Sequence, residues 1–242
     1  MNTIGVICAP DDAVFGRAAE RLAARGFDVE FLPPDEPIEP ATIERLDALA
    51  NRAVRRQSFA ALSYADRNGV ETWNGFVPTT ILSCRLVALN ALERIGCRVP
   101  DIAFEDPGDE AYVGMSRYCW DSPPAIGDEV EFYQRRVNAE PVRYRYYALN
   151  DGVETHLQTL AVRTALTERA PVLEEAEVRV ELATRIRELL DRFDARAIAV
   201  DFVADEQEEF YAVDASPIPS FDGAGMDRHL ADSLASLTTI GA

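Results

Sequence analysis

The sequence predicts a mixed α/β fold, with an N-terminal strand, helix, strand lobe followed by a larger α+β region built around antiparallel hairpins. Three stretches carry that prediction. Thr3 to Cys8 (TIGVIC) is a short apolar run that reads as a buried strand, and the amphipathic stretch and second strand behind it form the kind of unit that builds parallel sheet by a right-handed crossover. Pro141 to Val153 (PVRYRYYALNDGV) alternates and turns at Asn150-Asp151-Gly152. Ala197 to Phe221 contains two apolar runs, Ile198 to Val203 and Phe210 to Ala215, joined by the acidic connector Ala204 to Glu209, as an antiparallel hairpin requires.

Along the chain, Ala9 to Asp12 forms a turn whose aspartates can cap the helix that follows. That helix has an apolar stripe of Val14, Ala18, Ala19 and Leu22, and Gly26 sits where a left-handed residue ends it. Phe27 to Leu32 returns as a strand. Pro33 to Pro40, with four prolines and three acids, is a loop, and Ile43 to Ala50 fits a short strand or a short helix equally well. Ser58 to Arg67 is helical in pattern, Val70 to Trp73 is a short strand, and Thr79 to Ile95 reads as one long helix closed by Gly96. Tyr112 to Trp120 and Glu131 to Val137 fit strands. Glu177 to Phe193 is an amphipathic helix with Leu182, Ile186, Leu189, Leu190 and Phe193 toward the core, and a final helix runs from about Met226 to Leu237.

Composition narrows the function. The chain has 242 residues, 24 basic and 42 acidic, for a net charge of −18, and every basic residue is arginine. Long-range repulsion of that size disfavours nucleic acid and anionic membranes as partners. An acid excess without lysine resembles the proteins of extreme halophiles, where molar salt shortens the Debye length to about 3 Å. The four cysteines form no CxxC pair, and no signal peptide or membrane-spanning run is indicated, so a reducing cytoplasm is expected. Neither His156 nor His229 lies in a metal or nucleophile motif, and both read as structural or surface residues. GxSxG, HExxH and Walker A motifs are absent, as is a GxGxxG fingerprint after the first strand.

The C-terminal hairpin carries the sharpest chemical signal. A turn centred near Gln207 sets Asp201 across from Ala212 or Asp214, and the period of two puts both acids and Ser216 on one face. Two buried carboxylates that close tend to bind a proton unless a cation or a donor sits between them, and a hard divalent ion with oxygen ligands suits them. Spacing alone leaves open that both are solvated acids.

The run Gly69 to Phe104 resembles the junction of ATP-grasp enzymes, such as the glutamate ligases that modify a ribosomal protein and the D-alanine:D-alanine ligases. Gly69, Val70 and Asn74 match the family's Gly-Val-x-x-x-Asn, and Leu92, Gly96 and Pro100 match its Leu-x-x-x-Gly-x-x-x-Pro. The resemblance implies an ATP-grasp fold with a Rossmann-like lobe at 1–76 and a nucleotide-binding region of two small subdomains at 77–242. It implies ATP and Mg2+ as cofactors, and ligation of a small-molecule carboxylate to an amine through an acyl-phosphate; whether the chain forms a homo-oligomer is left open.

By the same resemblance Asp201, Asp214 and Ser216 are metal ligands. Arg85 takes the place of a phosphate lysine, with a surface arginine as the alternative, and Met115 falls on a second such lysine, with Arg117 able to substitute from the same face. Gln134, Arg135, Arg136 and Val137 match the adenine hinge, or else a plain edge strand. Arg145 matches the arginine that stabilises charge on the transferring phosphate, with Arg143 as fallback. The missing lysines, Asp214 in place of Glu, Ser216 in place of Asn and the short Asp121 to Asp128 flap support an alternative, a nucleotide-binding protein that has lost the reaction.

Overall fold

The computed structural model describes residues 2–118, 129–137, 142–163 and 172–238. The Asp121 to Asp128 stretch lies outside the described residues. The N-terminal part is a four-stranded parallel sheet of order β2-β1-β3-β4, made of β1 (Thr3–Ile7), β2 (Asp28–Leu32), β3 (Ala48–Asn51) and β4 (Glu71–Trp73). Asp12 caps α1 (Ala13–Ala23) by accepting from the amides of Val14 and Phe15, and Gly26 adopts φ +86° just beyond it.

Ile43 to Ala50 holds both a helix and a strand. Ile43 ends up in α2 (Pro40–Glu44), which begins on the last proline of the loop, and Ala48 to Ala50 form most of β3. The other face of this sheet is covered by α2 and α3 (Arg56–Asn68), whose Ala61, Leu62 and Ala65 pack with Ile7 and Leu49.

The long helix expected over Thr79 to Ile95 is two, α4 (Phe76–Leu82) and α5 (Arg85–Arg94). The break has a tertiary cause. Cys84 is extended, at φ −86° and ψ 109°, because it pairs with Tyr118, and the Arg85 amide donates to the Arg117 carbonyl at 2.7 Å. Sheet-like pairing to a distant segment just beyond Met115 outweighs the local helical periodicity.

Three short strands, β5 (Ile102–Ala103), β6 (Tyr112–Met115) and β7 (Phe132–Arg135), form an antiparallel sheet of order β5-β7-β6. A five-stranded antiparallel sheet of order β10-β9-β8-β11-β12 follows, from β8 (Val142–Asn150), β9 (Thr155–Arg163), β10 (Val172–Ala176), β11 (Ala197–Ala204) and β12 (Phe210–Ser216). One face, with Tyr146, Ala148, Ile198, Val200 and Phe202, packs on α5 and α6 (Val180–Phe193). The opposite face, with Tyr147, Leu149 and Ala199, meets β1, β3, α1 and α7 (Asp227–Ser236) in a second core. The parallel sheet and the helix at the other end of the chain thus share one interior. Within the described residues no helix is long and apolar enough to cross a membrane.

Asn74 locks these parts together. It sits at φ +52°, is fully buried, and its amide donates to the carbonyls of Ala197, at 2.7 Å, and Pro217. Its side-chain oxygen accepts from the amides of Arg196, at 2.7 Å, and Ala197, at 2.9 Å. One side chain behind β4 therefore satisfies backbone groups at the start of β11 and just after β12.

Candidate active site

The antiparallel ladder turns sequence spacing into a grid. Arg145 on β8 is the register partner of Asp201 on β11, and Asp201 is the partner of Asp214 on β12, so the three form one row across three strands. Alternation adds Arg143 and Tyr147 to the same face on either side of Arg145, and Ser216 two positions beyond Asp214. A bulge makes this register possible: Phe202 pairs with Ala212, so Val213 is the extra residue of β12.

Asp201 is 4% exposed and is held by two arginines. Arg145 reaches it with Nε on Oδ1 at 2.7 Å and Nη2 on Oδ2 at 2.8 Å, and Arg143 Nη1 donates to Oδ2 at 2.8 Å. Burial acts to raise its pKa, but the bonds and charge of Arg145, then of Arg143, prevail and hold it below the ordinary aspartate value. Asp214 is balanced the other way. Burial raises its pKa, Arg85 offsets part of that rise, and the nearby Asp201 charge adds to it.

A cleft of about 280 Å³ opens over this row, lined by Arg52, Arg145, Tyr147, Asp201, Asp214 and Ser216 among others. Arg52 follows directly on β3, at the carboxyl end of the parallel strands, where α/β sheets place their ligands. It donates to the Ile218 carbonyl at 3.2 Å and faces Asp12 at 3.5 Å. Sequence reading passed over Arg52 and Tyr147; the strand-end position of Arg52 was the available signal.

The other sequence-predicted residues are distributed as follows. Arg85 is 1% exposed and is outside the lining of the cleft: its Nε reaches Asp214 Oδ1 at 3.2 Å, and its Nη1 bonds Ser116 Oγ and the carbonyls of Ser116 and Tyr118. It ties the end of β6 to the acidic row. Met115 is buried at the end of β6, opposite Phe132. Arg117 is exposed and pairs with Glu131 at 3.4 Å. Gln134 is buried and donates to the carbonyl of the bulged Val213 at 3.3 Å. Arg135 pairs with Asp101 at 3.2 Å, and the Arg136 amide donates to Ala111. Arg135, Arg136 and Val137 line a second hollow of about 770 Å³, together with Asp205, Gln207 and Tyr211 from the far end of the β11–β12 hairpin.

Solved structures of other proteins share this arrangement of sheets over nearly the whole chain. Macrocyclase MdnC, solved with precursor peptide MdnA from Microcystis aeruginosa MRC, superposes with a TM-score of 0.71 at 10% identity, over 97% of this chain and 99% of that one. The ATP-grasp ligase PsnB, complexed with a minimal precursor, gives 0.72 at 16% identity, over 98% of this chain and 100% of that one. The fold is that of the ATP-grasp ligases. A third ATP-grasp ligase structure, the ADP complex of PurK, N5-carboxyaminoimidazole ribonucleotide synthetase, gives 0.69 at 14% identity over 90% of this chain and 70% of that one. No sequence-family model and no curated protein sequence matches the chain.

The cofactor that an ATP-grasp fold implies can be tested against the donors present. Two carboxylates and a hydroxyl on one sheet face are an all-oxygen set of the kind magnesium takes. Both oxygens of Asp201 already accept from guanidinium groups, so a metal there occupies space the arginines now fill. The residues fit Mg2+ provided Arg143 and Arg145 move to another anion.

Proposed function

We propose that the chain is an ATP-dependent ligase that joins a carboxylate to an amine. The observation that carries this reading is the row Arg145, Asp201, Asp214 beneath a cleft in an ATP-grasp fold: it pairs carboxylates able to hold magnesium with arginines able to hold phosphate. Asp201 and Asp214 would hold the metal, with Ser216 as a further oxygen donor. Magnesium, when bound, neutralises the phosphate charge that builds up during phosphoryl transfer. Arg145, released from Asp201, presents a planar fork to the transferring phosphate, with Arg143 beside it. The hollow beside Arg135 to Val137 and Tyr211 takes the base, and a covered cleft protects an acyl-phosphate from water.

Similar folds support the cofactors: a structure of PsnB contains Mg and ADP with a phosphomimetic variant of its precursor, and another contains AMPPNP with the precursor peptide PsnA2. Because PsnB and MdnC are solved with precursor peptides, peptide side chains belong in a substrate screen beside small acids and amines.

A second reading is a nucleotide-binding protein without the ligase reaction. It is favoured by Arg85, the residue at the usual phosphate-lysine position, which is buried against Asp214 and the end of β6. Calorimetry with ATP and Mg2+ in molar salt tests both readings. Binding is expected, and ADP release in the presence of the acid and amine screen separates ligase from binder. Absence of any nucleotide binding would remove both.

A further inference from the structure

The chain has two histidines, and neither belongs to the cleft described above. Distant in sequence, they meet in the fold. His156 on β9 and His229 in the first turns of α7 stack with ring centroids 3.7 Å apart and planes inclined by 26°. His156 Nε2 lies 2.7 Å from Oδ2 of Asp151, in the turn between β8 and β9. One ligand atom from each of Asp151, His156 and His229 falls within 4.8 Å of the other two, the one such group of three among the described residues. A fourth donor is at hand, since Glu154 Oε1 is 3.8 Å from the same Nε2.

The carboxylate is oriented in advance. Asp151 Oδ1 accepts from the amides of Val153 and Glu154, each at 2.9 Å, while Oδ2 faces the imidazole. Hydrogen bonds of this kind fix a ligand before a metal arrives. Arg228, the neighbouring cation, faces Asp232 at 3.9 Å. Two imidazoles in van der Waals contact beside a fixed carboxylate gather nitrogen and oxygen donors in one place; because ring lone pairs lie in the ring planes, one imidazole turns out of the stack to share a cation with the other.

We propose that Asp151, His156 and His229 bind a late first-row divalent cation of the zinc class, with Glu154 completing the shell. Mixed imidazole and carboxylate donors select zinc, cobalt or nickel over magnesium and calcium, which prefer oxygen alone. Asp151 is six residues beyond Arg145 on the same chain segment, about 20 Å at strand rise, so this cation is separate from any metal in the cleft. Its role is structural. Asp151, Glu154 and His156 come from the β8–β9 hairpin and His229 from α7, so the ion staples that helix to the five-stranded sheet.

The test is a titration of the full chain, stripped with a chelator, by cobalt(II) and then zinc in molar salt. One equivalent of cobalt is expected to give the visible d–d bands of a low-coordinate site, and zinc to displace it. His156→Gln and His229→Gln are each expected to weaken binding by more than the roughly 10- to 100-fold that loss of an outer-shell partner costs, while Arg228→Gln leaves it intact. NMR of the wild-type imidazoles needs no variant: both ring systems are expected to shift together, saturating at one zinc per chain. The proposal is overturned by absence of stoichiometric binding, by binding that both histidine variants retain, which marks adventitious surface acids, or by zinc that shifts neither ring.

Discussion

Arg145 and Asp201 stand directly opposite each other on adjacent strands and meet through two parallel hydrogen bonds of 2.7 and 2.8 Å. The pair is asymmetric in its surroundings, because Asp201 is buried while the Arg145 side chain keeps 33% of its surface exposed. Arg143 also donates to Asp201, so only loss of both arginines strands the buried anion; loss of the aspartate leaves two cations that water can reach. Replacing Arg143 and Arg145 together by alanine is therefore expected to destabilise the fold by about 3 kcal/mol, in the range for breaking one side of a buried pair, and Asp201→Asn by less. Urea unfolding of the two variants gives the order, and the reverse order would contradict the account of the site.

On the proposed function, magnesium and the arginines would compete for the same two oxygens of Asp201. Asp201→Asn removes the carboxylate both rely on, so magnesium-dependent ATP affinity is expected to disappear by calorimetry. An unchanged affinity for magnesium and ATP would place the metal elsewhere.

The two acids of the row respond oppositely to pH. Asp214 has a raised pKa in the fold, so it takes up a proton there before the unfolded chain does, and its contribution favours the folded state as pH falls from its raised value toward about 3.9. Asp201 has a lowered pKa, so its contribution is complete above about 3.9 and is lost only as pH falls through its lower folded value. The difference in unfolding free energy between wild type and Asp214→Asn, in which the other acids largely cancel, is expected to move in favour of wild type as pH drops from 7 to 4. A flat difference would mean that Asp214 titrates normally.

Asn74 holds four backbone groups in a conformation with positive φ. Asn74→Ala removes every bond, leaves buried amides and carbonyls unpaired and retains the strained backbone; a loss of about 3 to 5 kcal/mol is expected. Asn74→Gly accepts the backbone without strain and is expected to recover about 1 kcal/mol of that. Equal denaturation midpoints for the two variants would show that φ carries no cost at this position.

At a net charge of −18, folding in dilute buffer works against self-repulsion. Stability is expected to rise between dilute and molar potassium chloride as screening tightens to about 3 Å. Refolding midpoints that do not change with salt would count against a halophilic origin for this composition.

Much of the fold was legible because its signals were local. The TIGVIC strand, the Asp12 cap, the Asn150-Asp151-Gly152 turn and the apolar stripe of α6 each rest on residues a few positions apart. Where the sequence misled, a distant partner decided. The helix break at Cys84 comes from Tyr118, and the burial of Arg85 comes from Ser116, Tyr118 and Asp214. For the site, the face shared by Asp201, Asp214 and Ser216 followed from period two, but spacing left Ala212 and Asp214 as rival partners of Asp201, because a bulge leaves no mark in a run such as Phe210 to Ala215. The pairing of His156 with His229 had no signal within either segment, since it depends on where α7 docks.

The bulged Val213 also couples two parts of the molecule mechanically. Its carbonyl accepts the Gln134 side chain, so the three-stranded sheet is hooked to β12 at the residue next to Asp214. If that sheet swings over the cleft, the hook must either break or pull on the bulge, the one point on β12 with slack in its ladder. Such a displacement would reach the Asp214 carboxylate by two routes, the Val213 peptide and the Arg85 guanidinium that bonds both Ser116 and Asp214.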